Sequence, residues 1–369
     1  MKNIKTPLSG PHTHSTNSVT KIMWLVLLAL LPATLFGFYL FGWPAFNLWL
    51  ITIATAIIAE AICLWAMSKP ITPFITDGSA ILSAWLLAMT LPPWAPWWIG
   101  VMGALIAIVI GKQIFGGIGQ NIFNPAMLSR VALLIAFPVQ MTSWVKPIPF
   151  FSRSAPDFIH GLSITLHGYS IDAVSGATSL GYVKTELSLG TKTLTDILSK
   201  TYNNDALTLG FVNGSMGETS AVLILLGGIF LIYKRIISWH IPVAMIGSVA
   251  ILAFITNIIS PERYPSMIFH ITSGGLILGA FFIATDMVTS PNTKTGKLIF
   301  AAGCGGLVFV IRTWGGFPEG VAFAVMLMNS LVPLINHYIR PRVYGHTYSG
   351  NSLQYDASKL KAPDTGADA

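Results

Sequence analysis

The amino-acid sequence predicts an all-α polytopic membrane protein with about ten transmembrane helices. Hydrophobic residues make up 53% of the 369 residues and charged residues only 9%, whereas charged residues are about 25% of a typical soluble domain. Ten apolar runs follow one another along the chain, and a polar stretch at 141–217 separates them into two groups of five. The chain therefore belongs in a bilayer rather than in water.

The ten apolar runs define the predicted helices in order. They cover 22–41, 45–67, 79–91, 97–110 and 125–139 in the first group, and 219–233, 241–259, 267–283, 298–311 and 317–335 in the second. Several runs are shorter than the roughly 20 residues that a helix needs to cross the hydrocarbon core. We therefore expect half-helices, or spans with polar ends, as in transporter-like folds.

The two groups of five look like copies of one repeat. Pro92 and Pro291 each follow a third run, and Gly116 and Gly315 follow these prolines at equal spacing, so the halves align at an offset of 199. Because five spans is an odd number, the second copy is predicted to be inverted, which places a pathway or binding site between the copies. The alternative is coincidence among glycines and prolines in loops.

The short loops predict the orientation of the chain. With the N-terminus in the cytoplasm, most Lys and Arg residues of these loops lie inside and only Arg263 and Arg312 lie outside, as the positive-inside rule requires. The resulting division is a cytoplasmic N-terminus (1–20), a first five-helix repeat (21–140), an extracytoplasmic loop (141–217), a second five-helix repeat (218–336) and a cytoplasmic tail (337–369).

Composition also excludes some classes of function. The formal net charge of +7 comes from Lys and Arg that do not cluster with aromatic residues, so no nucleic-acid partner is expected. The two cysteines, Cys63 and Cys304, each lie in an apolar run. They predict no disulfide framework, and they are too few to hold an iron–sulfur cluster.

The polar stretch contains a motif that carries chemistry. Asp172, Ser175, Gly176, Ala177 and Thr178 fit the pattern D-x-x-[ST]-G-A-[ST], which resembles the site where a flavin transferase joins the phosphate of FMN to a threonine hydroxyl. Such an acceptor needs exposed, extendable backbone with small neighbours, which serine, glycine and alanine supply. Asp172 could orient the segment or help to hold a metal during transfer. The alternative is a simple turn in a solvated loop.

Four ionisable residues lie inside or beside the apolar runs. Glu60 and Arg130 would each cost about 2.5 to 3.5 kcal/mol at a helix centre, so both are expected to face protein and could pair with each other. Asp77 and Asp286 are candidates for holding a cation on an ion pathway or for binding the end of a half-helix. The alternative for all four is a satisfied ion pair or helix cap.

Several segments together resemble one known family. These segments are 11–12, 116–126, 137–144, 172–178 and 284–291. They resemble the D subunits of Rnf electron-transport complexes over roughly 9–344, a family related to the B subunits of sodium-pumping NADH:quinone oxidoreductases and similar in fold to urea transporters. The short N-terminal extension favours the Rnf type. Met287 stands where the family often has proline.

This resemblance implies a subunit of an ion-translocating oxidoreductase in the bacterial inner membrane. The complex would pass electrons between ferredoxin and NAD and couple them to Na⁺ or H⁺ movement. The resemblance implies one covalent FMN on Thr178, room for a second, non-covalent flavin such as riboflavin, and partners among iron–sulfur and flavin subunits. This chain shows no nicotinamide-binding fingerprint. The alternatives are the B subunit of a quinone reductase and a urea-transporter-type channel without a redox role.

Overall fold

The structure is a computed structural model that describes residues 18–168, 177–190, 193–201, 210–341 and 346. All regular elements of these residues are helical. They are α1 (Val19–Ala66), α2 (Ile71–Ile75), α3 (Ser79–Thr90), α4 (Trp97–Leu105), α5 (Pro125–Ala136), α6 (Pro138–Thr142), α7 (Phe158–His167), α8 (Ser179–Leu189), α9 (Leu194–Thr201), α10 (Ala221–Tyr233), α11 (His240–Ile259), α12 (Met267–Thr272), α13 (Leu276–Leu278), α14 (Lys294–Trp314) and α15 (Val321–Tyr338). Two π-helical turns, Ile106–Gln113 and Gly279–Ile283, extend α4 and α13, and a 3₁₀ turn covers Met216–Glu218.

Every predicted apolar run coincides with helix, and α1 contains the first two runs. Gly42 interrupts α1 with φ 70° and ψ −157°, a region that only glycine adopts readily. The ring centroids of Phe38 and Trp49 are 5.4 Å apart, although eleven residues of straight helix span about 16 Å. The chain therefore turns back on itself at Gly42, and α1 is a helical hairpin.

Helix starts recur with nearly constant spacing. Ile71 and Met267 are 196 residues apart, Ser79 and Leu276 are 197 apart, and Trp97 and Lys294 are also 197 apart. This spacing is close to the offset of 199 residues that the prolines and glycines of the loops predict between the two halves. Each third span is interrupted, and a glycine with positive φ lies in each interruption, Gly78 at 81° and Gly274 at 71°. The two halves thus share one order of elements.

Residues from both halves form one hydrophobic core. Leu30, Leu87 and Met89 from the first half belong to the same buried cluster as Met245 and Leu278 from the second. Large apolar side chains such as Ile259 and Ile135 are instead exposed on the outside. Among the described residues, five helices are long and apolar enough to cross a membrane, and shorter apolar helices accompany them. This pattern is that of a multi-pass membrane protein.

The polar stretch 141–217 is only partly a loop. Its described residues include helices α7, α8 and α9. The aromatic ring of Phe158 in α7 packs edge-on against Trp43, with centroids 5.1 Å apart, beside the turn of the α1 hairpin. Leu180 and Val183 of α8 are buried with Ile197 of α9 and Phe269 of α12. The stretch is therefore anchored on the helices that follow and precede it.

Candidate functional site

Thr178, the last residue of the polar motif, lies at the N-terminus of helix α8. It has extended backbone angles, and its Oγ1 atom accepts a hydrogen bond of 3.1 Å from the amide of Gly181. This is the geometry of a helix N-cap, a position where threonine is favoured. Ala177 precedes it and is exposed, whereas Asp172, Ser175 and Gly176 lie outside the described residues.

The expectation that Thr178 sits in exposed, extendable backbone is wrong for the folded chain. Only 9% of Thr178 is exposed. The reason is that α8 continues directly from it and buries Leu180 and Val183. A sequence motif in a polar stretch carries no sign of this packing, because one of the residues that cover α8, Phe269, is more than 80 positions further along the chain.

Lys184 anchors α8 to the end of α14. Its Nζ atom donates to three backbone carbonyls, those of Ile311 at 3.2 Å, Arg312 at 3.1 Å and Phe317 at 2.9 Å. The carbonyls of Ile311 and Arg312 lie in the last turn of α14, where a cation is favoured. Burial lowers the pKa of Lys184 below its ordinary value. Lys184 thereby holds the Thr178 end of the polar stretch against the membrane helices.

A cavity of about 770 Å³ opens beside Thr178, and we call it the Thr178 cavity. Both halves of the chain contribute to it, α3 and α5 from the first and α13 and α15 from the second. Apolar and aromatic side chains dominate its wall, and the largest are Met127, Leu134, Trp144, Phe317 and Phe323.

Four charged side chains meet at the Thr178 cavity. Arg130, Glu218 and Glu319 line it, and Arg312 lies behind Glu319. The Nη2 atom of Arg312 is 3.4 Å from Glu319 Oε1, and the Nη2 atom of Arg130 is 3.9 Å from Glu319 Oε2. Arg130 Nη1 is buried and makes no hydrogen bond to any described residue.

Two carboxyl groups, those of Glu218 and Glu319, belong to this cluster. The Ser215 hydroxyl donates to Glu218 Oε1 at 2.9 Å. Burial and the neighbouring charge of Glu319 raise the pKa of Glu218 well above its ordinary value. Glu319 contacts both arginines of the cluster.

Glu60 and Arg130 do not pair with each other, contrary to one of the expectations above. Glu60 bonds instead to Lys112 in the π-helical turn, and Gln113 Nε2 donates to Glu60 Oε1 at 2.8 Å. Lys112 Nζ also donates to Ser79 Oγ at 2.6 Å. The charge pattern of the loops predicted Lys112 in an inner loop and Arg312 in an outer loop. Both side chains are instead buried. Both charges are neutralised inside the protein.

Asp77 and Asp286 both close local turns. Asp77 Oδ1 accepts from the Ser79 amide at 2.7 Å, directly before α3. Asp286 accepts from the Val288 amide at 3.3 Å and from the Thr289 hydroxyl at 3.1 Å. Both carboxylates therefore have local hydrogen-bond partners, and a role of either residue in an ion pathway stays a prediction.

A second cavity of about 770 Å³ lies at the other end of α3 and α5, and we call it the Lys112 cavity. Ser79 at the start of α3 lines this cavity, whereas Thr90 at the end of α3 lines the Thr178 cavity. The Lys112 cavity combines apolar walls with the side-chain amides of Asn121 and Asn124. The two cavities thus occupy opposite ends of the same helices.

Sequence analysis missed Lys112, Glu218 and Glu319 as site residues, and also Lys184. A signal for three of them exists, because each charge stands at the end of an apolar run shorter than a full span. A polar residue in that position either reaches water or must be paired inside the protein. The residues around Lys184 in the sequence give no indication of its anchoring role.

The fold is that of a multi-pass membrane protein with cavities between its two halves. Residues 7–345 match the model of the NQR2, RnfD, RnfE family, and the chain belongs to that family. The resemblance to Rnf D subunits is thereby confirmed.

Similar proteins include several that are named as the D subunit of an ion-translocating oxidoreductase complex. The one from Stutzerimonas stutzeri is 56% identical over 91% of this chain and 95% of its own length. That from Halorhodospira halophila is 51% identical over 95% and 98%, and that from Rhodobacter capsulatus is 52% identical over 83% and 85%.

Replacement of Lys184 by methionine tests the anchoring of α8. Lys184→Met keeps the length of the side chain but removes its three hydrogen bonds, so we expect α8 to open more often. Amide hydrogen exchange across 179–189 should accelerate by tenfold or more, which corresponds to about 1.4 kcal/mol or more of local opening free energy. Lys146→Met, at an exposed lysine of the same polar stretch, is the control and should leave this exchange unchanged. Equal exchange in both variants would contradict the anchoring role.

Proposed function

We propose that this chain is the D-type membrane subunit of an ion-translocating oxidoreductase complex and that it carries FMN in a phosphoester bond to Thr178. The observation that carries the proposal is that Thr178, the acceptor position of the motif, lines a large cavity between the two halves of a membrane protein. Membership of the NQR2, RnfD, RnfE family supports it.

The N-terminus of α8 suits a phosphate. A helix of eleven residues begins at Ser179, and its first amides point towards Thr178. Such amides carry a partial positive charge and bind phosphate oxygens. Gly181 leaves the space that a phosphorus atom on Thr178 Oγ1 requires, because a Cβ atom at Gly181 would lie 3.1 Å from that oxygen.

The Thr178 cavity suits the flavin ring. Its aromatic and aliphatic walls can cover the faces of an isoalloxazine, and the unpartnered Nη1 of Arg130 offers a donor to a ring oxygen or nitrogen. When bound, the flavin supplies the capacity to take and give electrons. The chain positions the flavin and sets the charge around it.

The burial of Thr178 constrains how the flavin is attached. A flavin transferase must reach the threonine hydroxyl, yet α8 packs against the membrane helices in the folded chain. We infer that the phosphoester forms while α8 is undocked, and that docking then carries the ring into the cavity. Lys184 completes the docked state.

The electron partners follow from the proposed class of complex. One-electron carriers on neighbouring iron–sulfur and flavin subunits would exchange electrons with the flavin of this chain, between ferredoxin and NAD, coupled to Na⁺ or H⁺ movement. The motif and the cavity favour this function over a urea-transporter-type channel, which has no use for a flavin. A role as the B subunit of a quinone reductase is the second candidate, because the matching family includes NQR2.

The membrane arrangement we propose has ten spans in two inverted repeats. The helix starts that recur at 196 to 197 residues support two copies, and five spans per copy require inversion. From the charge asymmetry of the loops we propose that both termini are cytoplasmic and that α8 lies on the outer side of the bacterial inner membrane.

We also propose the Lys112 cavity as the site of a second, non-covalent flavin. It lies at the opposite ends of α3 and α5 from the Thr178 cavity, and both halves of the chain contribute apolar side chains to its wall. A tryptophan at Ser83 would fill it. Acid precipitation should release about one free flavin per wild-type chain and none from Ser83→Trp, while the covalent flavin remains. Equal release from both proteins would refute this site.

Variants of Thr178 test the covalent flavin. Thr178→Val keeps the shape of the side chain but removes the hydroxyl, so no phosphoester can form. We expect the ultraviolet fluorescence of the denatured band to vanish in this variant and to persist in part in Thr178→Ser. Ser179→Ala, one residue further on, is the matched control and should retain full fluorescence. A fluorescent Thr178→Val band would show that another residue is the acceptor.

The orientation is tested with single cysteines at two exposed serines, Ser188 in α8 and Ser68 after α1. The native cysteines are first replaced by serine. A membrane-impermeant thiol reagent added to cells with a permeable outer layer should label Ser188→Cys and leave Ser68→Cys unlabelled. The reverse pattern would place α8 in the cytoplasm.

A further inference from the structure

Helix α7 of the polar stretch has three distinct faces. Its ten residues turn by about 100° each, so residues three or four positions apart share a face. One face is buried and comprises Gly161, Ile164 and Thr165. The other two faces are exposed. The α7 polar face comprises His160, Ser163 and His167. The α7 apolar face comprises Phe158, Ile159, Leu162 and Leu166.

The buried face seats α7 closely on the membrane helices. A Cβ atom at Gly161 would lie only 2.6 Å from Trp43 Cβ, so the absence of a side chain at Gly161 is what allows this approach. Ile164 is buried in one cluster with Trp94 and Val145. Helix α7 therefore has a defined position, and its apolar face is exposed although the helix is docked.

Helix α7 runs along the ends of the membrane helices. Its first residue, Phe158, contacts Trp43 directly after the turn of the α1 hairpin at Gly42. Its later part is buried against Trp94, which follows the end of α3. Trp94 Nε1 also donates to the Phe41 carbonyl at 2.9 Å, so the turn of α1 and the end of α3 lie side by side. A helix that contacts successive span ends at one level lies at the surface of the membrane.

Aromatic rings connect the α7 apolar face to the outside of α1. Residues with helical spacing along the first arm of α1 are exposed, and they are Leu28, Leu31, Leu35 and Tyr39. The rings of Tyr39 and Phe151 have centroids 6.3 Å apart. Phe150 lies 5.4 Å from Phe151 and 5.6 Å from Trp43, again between centroids. Trp43 in turn packs on Phe158 of α7. Aromatic residues are enriched where a bilayer meets water, so this path marks the level of the interface.

We propose that α7 is an interfacial helix whose apolar face inserts into the lipid leaflet on the side of the polar stretch. An exposed and contiguous apolar face favours a partner that covers it, and continuity with the outside of α1 identifies that partner as lipid. Interfacial helices bury their apolar face about 5 to 10 Å deep, at the boundary of headgroups and acyl chains. The α7 polar face then meets headgroups and water. The proposal does not depend on the attachment of FMN to Thr178.

Two single-cysteine variants of the full chain in liposomes test the proposal. With the native cysteines replaced by serine, Ile159→Cys places a bimane label on the α7 apolar face. Ser163→Cys, one turn further along, places the label on the α7 polar face and is the matched control. A phospholipid with a nitroxide near the top of its acyl chain should quench the label at position 159 more strongly than at 163. Iodide on both sides of the membrane should quench the label at 159 about threefold less than at 163, because the leaflet shields it.

Equal iodide quenching at the two positions would overturn the proposal, because the α7 apolar face would then lie in water. A benzophenone amino acid in place of Ile159 tests the same face in the native membrane. Illumination should yield an adduct with the mass of the chain plus one phospholipid. An adduct with another protein would also overturn the proposal, since the face would then be a contact between subunits. This second measurement decides the matter if a labelled variant fails to fold.

Discussion

Pairing of buried charge is the constraint on which the rest of this structure depends. The helices bring ionisable groups into surroundings where water cannot hydrate them, and an isolated charge there would cost several kcal/mol. Glu60 is neutralised by Lys112 in one place, and Glu319 by Arg312 and Arg130 in the other. Each group of charges joins elements that are far apart in the chain. Both border a cavity, and the contact between Arg130 and Glu319 also joins the two halves of the chain.

Helix α8 connects the membrane helices to the polar stretch. Its first residue follows Thr178, its apolar face packs on α12, and Lys184 ties it to the end of α14. A flexible loop could carry a flavin but could not hold it at one distance from its partners. A docked helix can, and under the proposed function this is the physical advantage of an acceptor threonine at an N-cap. The same docking explains why a residue within a polar motif is buried in the folded chain.

Much of the fold could be predicted from sequence, and the reason is physical. Apolar runs mark the helices because a helix inside the hydrocarbon core needs apolar side chains. Runs shorter than a full span correctly indicated interrupted helices such as α12 and α13. The motif pointed to Thr178 directly. The charge pairs could not be predicted in the same way, because partner choice depends on how helices pack. Arg130 and Glu319 are 189 positions apart in the sequence. For Glu60, both Lys112 and Arg130 are basic residues of the same half, and the sequence does not indicate that Lys112 is the partner.

The central claim is that Thr178 carries a flavin phosphate, and mass spectrometry tests it most directly. The chain purified from its native membrane would be digested, and the peptide that contains Thr178 would be fragmented. The account predicts a mass increment of one FMN less one water, located on Thr178. An unmodified peptide in full yield, or the increment on a different residue, would contradict the account.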